Sequence, residues 1–244
     1  MKNLTKPFIA GIVLLMLVPM VTLLTGWRWQ PSGDDDLLRG LWRLTDTAAY
    51  PLAIIVSLFF CILFVRLFRG SRRQALRTAA MILVVVAAGQ GIKVAMKNTI
   101  KEPRPYVVWL AQQGIVPEKG FYDLSRTERT QLLENTVKNH YQVPGWLLKH
   151  WKSETGYAFP SGHALFASAW ALILFVFFSV QGRRGLAGVI LLWGVLAEYS
   201  RLALGMHWSS DIIMSLIINV ILIWLFFIWL NKQHENGMQP PPLT

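Results

Sequence analysis

The stretch YAFPSGHALFASAWALILFVFFSV, Tyr157 to Val180, closes a long polar region and then runs uncharged from Ala164 to Val180. About twenty consecutive apolar residues cross a bilayer as a helix, because a helix satisfies every backbone N–H and C=O within the segment. A Ser-Gly-His cluster preceded by proline therefore stands where the chain enters an apolar solvent. Working outward, the apolar blocks lie at about 8–26, 50–68, 78–96, 162–181, 186–205 and 212–231. The whole chain of 244 residues is 54% hydrophobic and only 15% charged, with a mean hydropathy of +0.41. Soluble domains carry about 25% charged residues. The expected fold is all-α: one polytopic membrane domain over 1–244, with six transmembrane helices and a small helical cap formed by the region 97–161.

The block 8–26 follows Lys2 and Lys6, as a secretory signal would, but it is too long for a signal h-region and lacks an Ala-x-Ala site, so it reads as an uncleaved helix. The net charge of +11 belongs to membrane flanks rather than to a nucleic-acid partner, because basic residues gather beside the apolar blocks and fix topology there. Lys2, Lys6, Arg66, Arg69, Arg72, Arg73, Arg77, Arg183, Arg184 and Lys232 all fall on one side if both termini are cytoplasmic. The opposite side then holds Asp34-Asp35-Asp36, the region 97–161 and the turn GMHWSSD. Trp27, Trp29, Trp109, Trp146, Trp151 and Trp208 are placed near that outer interface, as belt tryptophans are. Cys61 has no second cysteine to pair with and says little about compartment.

The region 97–161 is too long to be bare loop. Ser125-Arg-Thr-Glu128 reads as a capping box opening a helix with Leu132, Leu133, Thr136 and Val137 on one face. Val143-Pro144-Gly145 breaks it, and Trp146, Leu147, Leu148 and Trp151 suit a second short helix. Asp36 to Leu44 suits another, and the last residues, GMQPPPLT, read as disordered. Gly89 and Gly91 are expected to allow close helix packing.

Three polar groups fall at the outer ends of membrane segments: KNTIKEPRP (Lys97–Pro105), Pro160-Ser161-Gly162-His163, and SRLALGMHWSSD (Ser200–Asp211). Each has a plainer reading. Lys97, Lys101 and Arg104 also read as interface anchors, Ser161 as an N-cap, His163 as a structural histidine, and His207 with Asp211 as one capped helical turn. Arg201 is the exception, because a guanidinium deep in an apolar segment is costly and marks function. Taken together, Lys97, Arg104 and Arg201 with the Ser161 hydroxyl and the free N–H groups of a helix start make a phosphate cradle. Asp211, one turn after His207, can orient that imidazole as a nucleophile. His163 can protonate a leaving alkoxide. No carboxylate cluster suits Mg²⁺ and no paired Cys or close His pair suits zinc, so neither metal nor cofactor is expected and cations stabilise the transition state instead.

Lys97-x6-Arg104-Pro105, Pro160-Ser161-Gly162-His163 and Ser200-Arg201-x5-His207-x3-Asp211 together resemble the three-part signature of the type 2 phosphatidic acid phosphatase family. The motifs cover 97–211, close to half of the chain, and every position of the signature is filled. The resemblance implies a metal-independent lipid phosphatase of the bacterial inner membrane, with its site toward the periplasm. It implies His207 as the phosphohistidine nucleophile, Asp211 as its partner, His163 as general acid, and Lys97, Arg104, Ser161, Gly162 and Arg201 as phosphate ligands. It also implies lipid phosphate substrates held in the phospholipid bilayer: phosphatidylglycerol phosphate, phosphatidic acid, lysophosphatidic acid, diacylglycerol pyrophosphate and undecaprenyl pyrophosphate. No obligate protein partner follows from it.

Two further residues are weighed. Lys93 lies one turn before Lys97, so both are expected to face one pocket, Lys93 deeper, against either a second phosphate or headgroup; the plainer reading is an ion pair inside the bundle. Glu154 is expected to contact a headgroup or relay protons, or else to be a solvated loop carboxylate. The motifs do not choose between phosphatidylglycerol phosphate cleavage and undecaprenyl pyrophosphate recycling. Vanadate haloperoxidases share the resembling site but are soluble. A lipid-binding or transport protein with a dead site is the rival of a different class, and a membrane scaffold has no need of a buried Arg201 beside two histidines.

Overall fold

The computed structural model describes residues 2–235; the expectation for GMQPPPLT lies outside them. Eleven helices and no strand are present among these residues. In chain order they are α1 (Lys2–Leu24), α2 (Asp36–Asp46), α3 (Leu52–Leu67), α4 (Arg72–Thr99), α5 (Pro105–Gln112), α6 (Glu118–Asp123), α7 (Arg126–Val137), α8 (Gly145–Ser153), α9 (Gly162–Val180), α10 (Arg184–Ala203) and α11 (Ser209–Glu235). Five of them, α1, α4, α9, α10 and α11, are long and apolar enough to cross a membrane. The remaining apolar block forms α3, a shorter helix of 16 residues. At about 1.5 Å per residue it reaches roughly 24 Å, a little less than a hydrocarbon core of about 30 Å.

α9 is the central column. Its sequence is apolar all round, and such a helix must be covered on every side. It packs against α1, α3, α4, α10 and α11, and its alanines, Ala164, Ala167, Ala169 and Ala171, are buried. Small residues let helix backbones approach where lipid offers no hydrophobic drive. The outer faces of the bundle carry exposed Ile9, Val13, Leu17, Ile55, Leu58, Val84, Leu192 and Leu225. An apolar surface of that extent suits lipid, not water.

α4 begins earlier than the apolar pattern indicates. Ser71 and Gln74 form a capping box, so Arg72, Arg73 and Arg77 ride on the first turns of the helix instead of lying in a loop. The expected box at Ser125 and Glu128 is present and opens α7. Gly89 lies within ordinary contact of Asn219, Leu165 and Leu222, but nothing stands near the Cβ position of Gly91, so only the first serves close packing.

The helices α5–α8, with Trp29, enclose a second core. Here the structure corrects the placing of three tryptophans. Trp29, Trp109 and Trp151 are buried in this core and are not interface residues. Trp151 stacks on Tyr106 at 4.7 Å and meets Trp29 edge-on at 5.7 Å. Their indole N–H groups donate to Leu204 O and Ala203 O. These are carbonyls at the C-terminal end of α10, which a helix leaves without partners of its own.

The turn after α10 depends on Gly205. Its φ is +68°, and a Cβ there would lie 2.6 Å from the Trp29 ring. Gly205→Ala is therefore expected to lower stability by roughly 2–5 kcal/mol, from left-handed strain plus overpacking. A fall in the thermal midpoint of the purified protein checks it. Because Gly205 O also accepts from Tyr106 N–H, the same turn ties the second core to the residues that follow.

Candidate active site

The three polar motifs meet at one end of the bundle. Lys97 lies in the last turn of α4, Arg104 is the N-cap of α5, Ser161 is the N-cap of α9, and Arg201 lies in the last turn of α10. His207 sits in the α10–α11 turn and Asp211 in the first turn of α11. Two hydrogen bonds suture the starts of α9 and α11: Ser215 Oγ donates to Ser161 O at 3.0 Å and to Asp211 O at 2.7 Å.

His207 Nδ1 lies 3.0 Å from Asp211 Oδ2, which also accepts the Trp208 N–H at 2.9 Å. Asp211 is acceptor-only when ionised, so the hydrogen on His207 belongs on Nδ1 and the Nε2 lone pair is free. Burial, and then the charges of Arg104, Arg201 and Lys97, hold the His207 imidazole well below its usual 6.5. It is neutral at neutral pH, as attack requires.

Glu154 is the centre of the charge network, and this overturns its reading as a solvated loop carboxylate. It ends α8. Arg201 Nη2 grips both of its oxygens, at 2.9 and 3.0 Å. Arg104 Nη2 stands at 3.3 Å, and His163 Nε2 at 3.7 Å from Oε1. Burial works to raise the Glu154 carboxyl, but Arg201 and Arg104 outweigh it and hold it well below the usual carboxylate value. Arg201 Nη1 donates to Thr45 Oγ1 at 3.2 Å and lies 3.1 Å from His150 Nε2. Its Nε–H is buried without a partner, as is His163 Nε2.

His150 accepts from Arg201 only while neutral. Burial and then the Arg201 charge lower it from 6.5 to about 3. The unfolded chain takes up this proton as pH falls below 6.5, and the folded one does so only near 3, so stability falls with pH across that window. The thermal midpoint of the wild type is expected to drop more steeply over that range than that of His150→Gln. Parallel curves would contradict this.

Arg104 is held by three carbonyl-facing or carboxylate contacts: Nε donates to Gly156 O at 2.7 Å, Nη1 to Met206 O at 3.2 Å, and Nη2 faces Glu154. Lys97 Nζ donates to Tyr157 O at 2.8 Å. The Ser161 hydroxyl accepts the Ala164 N–H at 3.3 Å, so it is an N-cap as well as a site residue. Lys93 donates to Gln90 Oε1 at 2.7 Å and has no ion-pair partner among the described residues, which removes the reading as a bundle ion pair. A Cβ on Gly162 would meet the Lys93 stem at 2.8 Å, so the glycine leaves room for the lysine to pass.

A cavity of about 960 Å³ opens over these groups. Lys93, Lys97, Glu154, Gly162, His163 and His207 line its polar end. Leu52, Leu58, Leu83 and Val86 of α3 and α4 also line it, as do Asp46, Lys149 and His150. Arg104, Ser161, Arg201 and Asp211 do not line it; they stand buried behind the lining residues. Among the described residues no cluster of three His, Cys, Asp or Glu side chains is arranged to hold a metal ion. Sequence reasoning missed His150 and Thr45. The i,i+4 spacing of His150 and Glu154 was the one available signal.

Lysines and histidines line this cavity beside apolar side chains of α3 and α4, with Arg104 and Arg201 buried next to them. The model of the PAP2 superfamily matches residues 78–235, more than half of the chain. The chain belongs to the PAP2 superfamily. It is 32% identical to phosphatidylglycerophosphatase B of Escherichia coli (strain K12) over 241 residues, covering 99% of this chain and 94% of that protein. It is 32% identical to phosphatidylglycerophosphatase B of Haemophilus influenzae over 229 residues, covering 91% and 94%. A lipid A 4'-phosphatase of Bacteroides thetaiotaomicron is 35% identical over 77 residues, covering 32% of this chain and 33% of that protein.

Proposed function

We propose that this protein is a membrane lipid phosphatase that hydrolyses the phosphomonoester of phosphatidylglycerol phosphate and related lipid phosphates through a phosphohistidine on His207. The observation that carries the reading is the oriented imidazole, with Nδ1 on Asp211, standing in the wall of a cavity that Lys93, Lys97 and apolar side chains of α3 and α4 also line. The acyl chains lie along α3 and α4 and the phosphate stands at the helix ends. The names of the two full-length relatives favour the phosphatidylglycerol phosphate headgroup.

His207 Nε2 attacks phosphorus. The N–P bond forms as the ester P–O bond breaks, and His163 gives its proton to the departing alcohol. Water then attacks the phosphohistidine while His163 takes a proton from it, and inorganic phosphate leaves with His207 restored. Lys97, Arg104 and Arg201, with the Ser161–Gly162 helix start, hold the phosphoryl oxygens and neutralise charge in the transition state. The unpartnered Arg201 Nε–H supports this role. Glu154 then acts as the carboxylate that occupies the arginine cradle until phosphate competes for it.

In this reading α3 is the sixth span, both termini are cytoplasmic, α5–α8 form a periplasmic cap over a single domain, and the site faces the periplasm. Lys93, on the cavity wall below Lys97 with no carboxylate partner among the described residues, favours a second activity on undecaprenyl pyrophosphate, whose additional phosphate it would hold.

The test is phosphate release by the purified protein in detergent containing EDTA. Phosphatidylglycerol phosphate, phosphatidic acid and undecaprenyl pyrophosphate are compared by kcat/KM. Turnover is expected to persist with the chelator. Inhibition that Mg²⁺ reverses would contradict the metal-free mechanism.

A further inference from the structure

Asp46 gives the fold no visible gain. It is the last residue of α2, where the negative end of the helix dipole disfavours a carboxylate. It is half-buried and lines the cavity. Among the described residues its side chain makes no ion pair and no hydrogen bond. Neither Lys149, which lines the same cavity, nor the buried Arg201 pairs with it. Its place is nonetheless held on both sides. Thr45 Oγ1 accepts from Arg201 Nη1 at 3.2 Å, and Thr47 Oγ1 accepts from Trp193 Nε1 at 3.0 Å. Trp42, one turn earlier, stacks on Trp146 of α8 with ring centroids 5.8 Å apart. Neighbouring Cα atoms are about 3.8 Å apart, so Asp46 follows directly on a residue that touches the guanidinium assigned to phosphate.

A free carboxylate on this wall repels the phosphate of every lipid phosphate that enters. It favours only a substrate that brings it an O–H or N–H donor, because an ionised carboxylate is an acceptor alone. In phosphatidylglycerol phosphate the glycerol between the two phosphates carries a hydroxyl on the carbon next to the ester carbon. Phosphatidic acid carries an acyl ester at that position, and undecaprenyl pyrophosphate has no hydroxyl at all. We propose that Asp46 is a specificity residue that accepts the hydrogen bond of a headgroup hydroxyl next to the scissile phosphate ester. This rests on the lipid-phosphatase reading above. The carboxylate discriminates in both directions: it holds a hydroxylated headgroup, and it stays unpaired and repulsive beside one without the hydroxyl.

The test compares two substrates that differ in this hydroxyl alone: phosphatidylglycerol phosphate and the same lipid with a propanediol in place of the headgroup glycerol. Phosphate release in detergent gives kcat/KM for each with the full-length wild type, Asp46→Ala and Asp46→Asn. The wild type is expected to prefer the hydroxylated lipid by about 10-fold, the lower end for a hydrogen bond to a charged group because Asp46 is only half-buried. Asp46→Ala is expected to bring the ratio close to 1. Asp46→Asn keeps the shape and an acceptor oxygen but not the charge, and its ratio is expected to fall between the two. Each ratio is internal to one protein, so a smaller folded fraction in a variant cancels. A wild type that turns over both lipids alike, an Asp46→Ala that keeps the wild-type ratio, or an Asp46→Ala that folds but loses both activities equally would each overturn the proposal. No release from either lipid by the wild type would instead sink the phosphatase reading, a result distinct from equal turnover of the two.

Discussion

Phosphate release from lipid phosphates is expected to fall by about 10⁴-fold or more in His207→Ala, because the group that forms the covalent intermediate is gone. The residue is buried and its Nδ1 partners Asp211 at 3.0 Å, so alanine also leaves that carboxylate short of a donor. His207→Asn separates the two effects. Its side-chain amide can still donate to Asp211 but offers no nucleophilic nitrogen. Both variants are expected to be inactive, with His207→Asn the closer to wild type in thermal midpoint. An active His207→Asn would show that the imidazole orients substrate without attacking it. The effect comes from the nucleophile itself and is expected with every substrate.

The second large effect is expected at Arg201. This guanidinium is fully buried and makes paired bonds to Glu154, with further contacts to Thr45 and His150. Removing one partner of a buried ion pair leaves an uncompensated charge and costs about 3–5 kcal/mol. Arg201→Ala is expected near the lower end of that range, because Arg104 still stands 3.3 Å from Glu154. Turnover is expected to be lost as well. The double variant Arg201→Ala with Glu154→Ala is expected to be more stable than Arg201→Ala alone, since the stranded carboxylate is gone, yet equally inactive. Arg201→Lys keeps the charge but not the planar fork, and it is expected to fold with a reduced kcat. Thermal midpoints and kcat for these three variants check the argument. A double variant less stable than Arg201→Ala would mean that Glu154 is held mainly by other groups.

The bundle was legible because apolar runs have no other stable arrangement in lipid. The helix bounds moved where capping chemistry, not hydropathy, decides them, as at Ser71 before α4. α3 stayed short because Pro51 precedes it and the chain turns out at Phe68. The site was legible because its residues sit at helix ends, where sequence order places them at one end of the bundle once alternate spans are antiparallel. The plainer readings were often true at the same time: Ser161 does cap α9. What could not be read was set by loop conformation. Nothing in SETGYAFPSGH announces that Glu154 turns inward between two arginines. The tryptophans misled for a related reason. An indole beside a membrane segment suits either a lipid interface or a small protein core, and only the α5–α8 packing decides that Trp29, Trp109 and Trp151 belong to the latter.

The central claim is that this chain cleaves lipid phosphates at His207. The most direct test is inorganic phosphate released from phosphatidylglycerol phosphate by the wild type and by His207→Ala, both in detergent with EDTA. Release by the wild type and none by the variant is the predicted result. Equal release by both, or none from a folded wild type with any of the lipid phosphates named above, would contradict it.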